Sequence, residues 1–136
     1  MSQQNVEVIE RAVAALNARD LDGYLACCTA DVQLSTPMVG GVYDGAIGMR
    51  RFFADLEDAA PGFRITLERI DPVGADRVLA FTQVRASGRR SGIEMPVDGA
   101  NVYELVAGQL ARIRVFLSRE EALKAVGFED GNTTAT

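Results

Sequence analysis

The chain of 136 residues contains no histidine. That absence excludes Ser-His-Asp and Cys-His nucleophilic systems in their usual form, together with histidine-based zinc, copper and non-haem iron sites. Any proton chemistry has to come from carboxylates, tyrosines, lysine or bound water. Cysteine is scarce too. Cys27 and Cys28 are the only two; being adjacent, they cannot form an ordinary disulfide with each other, and without histidine they make a poor metal site. They read as buried thiols in a reducing cytoplasm. Basic charge is short, with 14 Lys and Arg against 19 Asp and Glu, which speaks against a nucleic acid or an anionic membrane as partner. The N-terminal stretch is charged throughout and has no apolar run long enough for a signal peptide or a membrane span. No repeat, linker or low-complexity segment divides the sequence. One domain over 1–128 with a disordered tail at 129–136 is expected, with no metal and no other cofactor.

What is present is hydrophobic residue in readable periods. Val6, Ile9, Val13 and Leu16 follow Asn5, an N-cap type, and predict a first helix. Asp20 is placed to cap a short second helix whose Leu21, Leu25 and Cys28 share a face. Val32, Leu34 and Thr36 alternate with Gln33 and Ser35 in a strand that Pro37 stops, and the glycines of GGVYDG predict a loop. Ile47, Phe52 or Phe53, and Leu56 mark a third helix over about 46–60. Four strand-like runs follow, FRITLERI, RVLAFTQVRA, EMPVDGANVYELV and QLARIRVFL, separated by turn residues. Ser118 and Glu121 form a capping box for a short helix expected to end at Gly127. The order reads as α+β, one curved antiparallel sheet with helices on one face.

Three stretches, LNARDLDGYLACCTADVQL, VYDGAIGMRRFF and AGQLARIRVFLSREEALKAVGF, carry a family likeness. Over about residues 5–128 the chain resembles the SnoaL-like branch of the nuclear-transport-factor-2-like superfamily, relatives of polyketide cyclases and ketosteroid isomerases. The resemblance implies a cone, a bent sheet wrapped around three N-terminal helices with an apolar pocket at its wide end. It does not by itself imply an activity, since the superfamily holds enzymes, binding domains and assembly domains. The isomerases' general-base aspartate matches Thr36 here, too weak a base for a carbon-bound proton near neutral pH. Their oxyanion-hole tyrosine and aspartate match Ala12 and Asn101. The carboxylate that cyclases and limonene-type epoxide hydrolases keep near the last strand falls on or beside Ser118. The resemblance therefore implies a cavity whose familiar acids are replaced.

Period-two alternation assigns the faces independently. Phe63, Ile65 and Leu67 go to the helices, as do Ile113, Val115 and Leu117. In the neighbouring strand the matching choice puts Val97, Gly99, Asn101, Tyr103 and Leu105 inside, and leaves Asp98 and Glu104 outside near Arg112 and Arg114, so that no acid is buried alone. A bulge at Gly99 would mix this register with its alternative. The expected cavity residues are Thr36, Met38, Phe53, Gln83, Arg85, Ile113, Val115 and Leu117, with Asn101 and Tyr103 as hydrogen-bond donors. Asp31, if buried beside the pocket, is the remaining candidate base. Tyr24 and Tyr43 are expected in core or rim packing, with the cavity mouth as the alternative. The sequence leaves three functions open: an isomerase, cyclase or dehydratase acting on a hydrophobic metabolite such as a polyketide- or steroid-like compound; a non-catalytic ligand-binding or sensing domain; and an assembly module whose sheet face recruits another protein. Ala100, Val102, Val106 and Phe116 on the outer face call for a cover, and a homodimer through the sheet is the expected one.

Overall fold

The computed structural model describes residues 3–37, 41–86 and 96–130. Helices α1 (Gln3–Asn17) and α2 (Leu21–Leu25) lead into strand β1 (Cys28–Thr36), strand β2 (Gly41–Asp44) and helix α3 (Gly45–Ala59). Strands β3 (Arg64–Pro72), β4 (Arg77–Arg85), β5 (Val97–Val106) and β6 (Gln109–Phe116) follow, and helix α4 (Arg119–Asp130) comes after them. The six strands form one sheet in the order β2-β1-β6-β5-β4-β3. Four of its pairings are antiparallel, as expected, but β1 runs parallel to β6. The polypeptide between β1 and β6 includes α3 and three further strands, length enough for such a crossover.

Several boundaries differ from the sequence reading. Asn5 does not cap α1; it lies inside the helix and is buried. Cys28 opens β1 instead of extending α2, and Asp31 belongs to that strand. The expected loop around Val42 and Tyr43 holds the edge strand β2, whose Leu34↔Tyr43 pairing sets both side chains into the core. Helix α4 passes through Gly127 and ends three residues later. Asp20 does cap α2, accepting from the Gly23 amide at 3.0 Å, and the Ser118 hydroxyl accepts from the Glu121 amide at 3.3 Å.

The inner face of the sheet and helices α1 to α3 enclose the main core, in which Ile9, Val32, Met49, Val78 and Leu110 are fully buried. Asn17 ties α1 to the outermost strand by acting as a surrogate strand partner: its amide donates to the Ile65 carbonyl at 2.8 Å and its oxygen accepts from the Ile65 N–H at 2.9 Å. Both edge groups of Ile65 are thereby satisfied and its side chain is held toward the core.

The other face carries a second, smaller core. Ala122 and Val126 of α4 pack on Leu79, Ala100 and Val102, with Phe81 and Phe116 alongside. Arg119 pins the start of this helix to the sheet. It donates to the backbone carbonyls of Gly99 at 3.1 Å and Thr82 at 2.9 Å, meets Glu68 at 2.7 Å, and stacks over Phe81 at 5.0 Å. The outer apolar residues that called for a partner copy are thus largely covered by the chain itself; Val106 stays exposed.

Candidate functional site

Because β1 and β6 run parallel and their neighbours alternate in direction, Thr36, Val115 and Val84 come together near one end of the sheet. With α1, α2 and α3 they close around a cavity. Among the described residues, Ala12, Val13 and Leu16 supply the α1 wall, Phe52 and Leu56 the α3 wall, and Tyr24 the α2 contribution. The sheet adds Leu34 and Thr36, then Ile65 and Val84, and finally Asn101, Tyr103, Ile113 and Val115. No charged side chain lines it among the described residues. Its free volume is about 30 Å³, room for water and far below the roughly 300 to 1,000 Å³ that drug-sized ligands occupy.

Three polar residues of the sheet reach this space. Thr36 is 5% exposed, Asn101 5% and Tyr103 3%. Asn101 and Tyr103 stand two apart on β5, so both point inward, and the Asn101 amide donates to the Tyr103 hydroxyl at 2.9 Å. That bond occupies an acceptor site of the hydroxyl and leaves its own proton available. Burial pushes the Tyr103 phenol up to about 12, opposed by the Asn101 hydrogen bond, which favours the phenolate. At neutral pH it is therefore a proton donor and not a base. Tyr24 is also raised well above its ordinary value, first by burial and then by Tyr103 and the two cysteines.

The register expectation for the acids holds. Glu104 lies outside and meets Arg112 at 3.4 Å and Arg114 at 3.5 Å, while Asp98 is exposed. Other expectations need correction. Asp31 is exposed, and its carboxylate accepts from the Thr29 hydroxyl at 2.9 Å on the outer side of β1, away from the lining. Gln83 and Arg85 also point away: the Ile65↔Val84 pairing turns Val84 inward, and alternation sends its two neighbours to the other face. Phe53 is buried but stacks edge-on against Tyr24 at 5.4 Å, and Phe52 takes the place at the cavity. Leu117 lies past the end of β6, is 43% exposed, and edges a shallow surface groove with Val42 and Ser118. Ile113, Val115, Thr36, Asn101 and Tyr103 are brought together as expected; Met38 lies outside the described residues. Tyr24, for which the cavity mouth was the second reading, lines the cavity, and the residues that the sequence reading missed are those of the helix wall. Tyr43 is in the core, its hydroxyl donating to Asp55 at 2.8 Å.

The model of the SnoaL-like domain matches residues 9–113. The chain belongs to the SnoaL-like family. Among solved structures, TerC co-crystallised with polyporic acid superposes with a TM-score of 0.78 at 22% identity, over 91% of this chain and 98% of that one. A nuclear-transport-factor-2-like protein of unknown function from Burkholderia pseudomallei gives 0.78 at 18% identity, over 93% and 98%. RV0760c from Mycobacterium tuberculosis, in complex with estradiol-17beta-hemisuccinate, gives 0.73 at 18% identity, over 88% and 97%. At these identities the likeness shows the fold, and this SnoaL-like chain shares its sheet curved around helices with proteins of that group. No helix among its described residues is long and apolar enough to cross a membrane, and no cluster of cysteines and carboxylates among them is arranged to hold a metal ion.

Proposed function

We propose that this protein binds an uncharged, largely apolar small molecule inside the cone, with the one polar atom of that molecule received by Tyr103. The observation that carries the reading is the lining itself. Apolar walls surround a phenol whose proton is free to donate, and no charged side chain stands among the described lining residues to welcome an ion. Polyketide- and steroid-like compounds have such largely apolar skeletons; TerC was crystallised with polyporic acid and RV0760c with estradiol-17beta-hemisuccinate, a steroid ester that also carries a carboxyl group. A ring system of that size requires the walls to move apart, because the closed cavity holds about 30 Å³. The reading is tested by thermal unfolding against a panel of neutral ketones and alcohols of increasing size, beside carboxylic acids of the same carbon skeleton. Neutral compounds stabilise the fold and their carboxylates do not; stabilisation by the carboxylates alone overturns it.

The same site serves a non-catalytic binding or sensing domain as it stands. For an isomerase, cyclase or dehydratase it supplies one half of the chemistry. Tyr103, steadied by Asn101, can donate to a developing oxyanion, and such a donor contributes about 2 to 4 kcal/mol in a dry site. The base would come from water or from the substrate, since Asp31 faces away. Equal turnover of a substrate by the wild type and by Tyr103→Phe and Asn101→Leu variants would remove the catalytic half of this reading. A cytoplasmic setting belongs to the same reading, supported by two buried free thiols. A homodimer has less support than the sequence suggested, because α4 covers most of the face it would use.

A further inference from the structure

Tyr24 enters the cavity from the opposite side to Tyr103. It sits on α2, 3% exposed, with its ring held edge-on by Phe53. Among the described residues its hydroxyl makes no hydrogen bond. Nor is that oxygen sealed against protein atoms, as the equally unpartnered Thr82 Oγ1 is. Tyr24 is itself one of the residues that line the cavity. A phenol with no partner in the protein and an apolar cavity before it is a donor lacking an acceptor, a costly arrangement unless something supplies one.

We propose that Tyr24 and Tyr103 together receive a single ligand oxygen, one O–H from α2 and one from β5, and that this pair makes the cavity selective for a compact neutral carbonyl compound. A carbonyl oxygen has two lone pairs and accepts two such bonds. A carboxylate would bring a full charge into a lining with no cation among its described residues, and the desolvation of that charge would go uncompensated. An ammonium or other cation would find donors where it needs acceptors. Asn101 acts indirectly: by donating to the Tyr103 oxygen at 2.9 Å it leaves that phenol only one way to point its proton. Both phenols remain protonated at neutral pH, since burial raises each of them. The cavity's small volume favours a compact molecule, for which the walls yield least.

The inference rests on the pocket reading above and is tested separately from it. The probe is cyclopentanone labelled with carbon-13 at the carbonyl, whose resonance moves downfield with each hydrogen bond accepted. Wild-type protein is expected to shift it downfield and bind it, and to leave cyclopentanecarboxylate unbound. In Tyr24→Phe the bound shift falls while the ligand-free melting temperature is unchanged, because no protein group loses a partner, and Kd rises about tenfold, the worth of one hydrogen bond. In Tyr103→Phe part of the downfield shift survives, held by Tyr24, which provides a check that does not depend on how the Tyr24 variant folds. A shift that is unaltered in Tyr24→Phe, or wholly lost in Tyr103→Phe, overturns the two-donor inference while leaving the pocket reading intact. Failure of wild-type protein to bind cyclopentanone at all overturns both.

Discussion

Asn101 and Tyr103 show how a strand of alternating residues can be read for chemistry. Their spacing of two puts both side chains on one face, and once Asp98 and Glu104 are assigned to the arginines outside, no other face is left for them. The Asn101 amide donates to the Tyr103 hydroxyl, and the Tyr103 proton is still available to a ligand. Replacing Tyr103 by Phe leaves the Asn101 amide buried without that acceptor. Stability is expected to fall by about 1 to 3 kcal/mol, read from the urea midpoint. Asn101→Leu removes the donor and fills the space with carbon, so it is expected to cost less than Tyr103→Phe; the reverse order would mean that the amide is satisfied elsewhere. Tyr24 was not legible in the same way. It lies in a five-residue helix beside Leu21 and Leu25, and the docking of α2 against α3 shows where its ring goes, edge-on to Phe53.

At the scale of elements, what the sequence hides is mostly long-range pairing. The GGVYDG stretch has the composition of a loop, yet Val42 and Tyr43 pair with β1, and Tyr43 is buried against Phe52 at 5.4 Å. Glycine frequency describes local freedom and is silent about a partner strand. The same limit explains Asp31, which reads as the end of a helix and becomes a strand residue once β6 arrives beside β1. The sequence allows a bulge at Gly99, but the register against β4 runs through it unbroken, and the irregularity of β5 against β6 falls between Glu104 and Leu105. A Cβ added at Gly99 would stand 2.7 Å from the Phe116 carbonyl oxygen, a backbone atom that cannot swing aside. Gly99→Ala is expected to destabilise by about 1 to 3 kcal/mol through this overpacking, measured by denaturant unfolding; an unchanged midpoint would mean that the two strands separate without cost. Helix α4 is the other element whose role is clear only in three dimensions. Its Ala122 is fully buried and Val126 is 8% exposed against the outer sheet face. Val126→Asp places an unpaired charge there and is expected to free the helix, exposing Leu79, Ala100 and Val102. Sedimentation should then show self-association that the unsubstituted chain lacks at the same concentration, and equal behaviour of the two would show that α4 is not what covers the face.

For the whole molecule, the absence of histidine shapes how stability depends on pH. No group of that type titrates between pH 5 and 8, and the groups with raised values among the described residues are phenols and thiols, Tyr24 and Cys27 together with Tyr103 and Cys28, of which the last two both stand at about 12. In each the neutral form is the one the fold favours, since burial is the first cause of the rise. The stabilisation is complete below the unfolded values, 9.0 for the thiol and 10.0 for the phenol, and is lost as pH climbs through the folded ones. For Tyr103, 3% exposed and raised from 10.0 to about 12, the loss amounts to about 2 to 3 kcal/mol across that window. Unfolding free energy measured from pH 8 to 11 should therefore fall with increasing slope, Cys28 contributing first and Tyr103 after it. Tyr103→Phe starts from a lower stability, for the reason given above, but its curve should be flatter above pH 10, and Cys28→Ala should flatten the earlier part between 9 and 10. Parallel curves for the wild type and both variants would mean that these groups ionise in the folded state as easily as in the unfolded chain. The closed, dry cavity on which ligand selection depends would then be open to water.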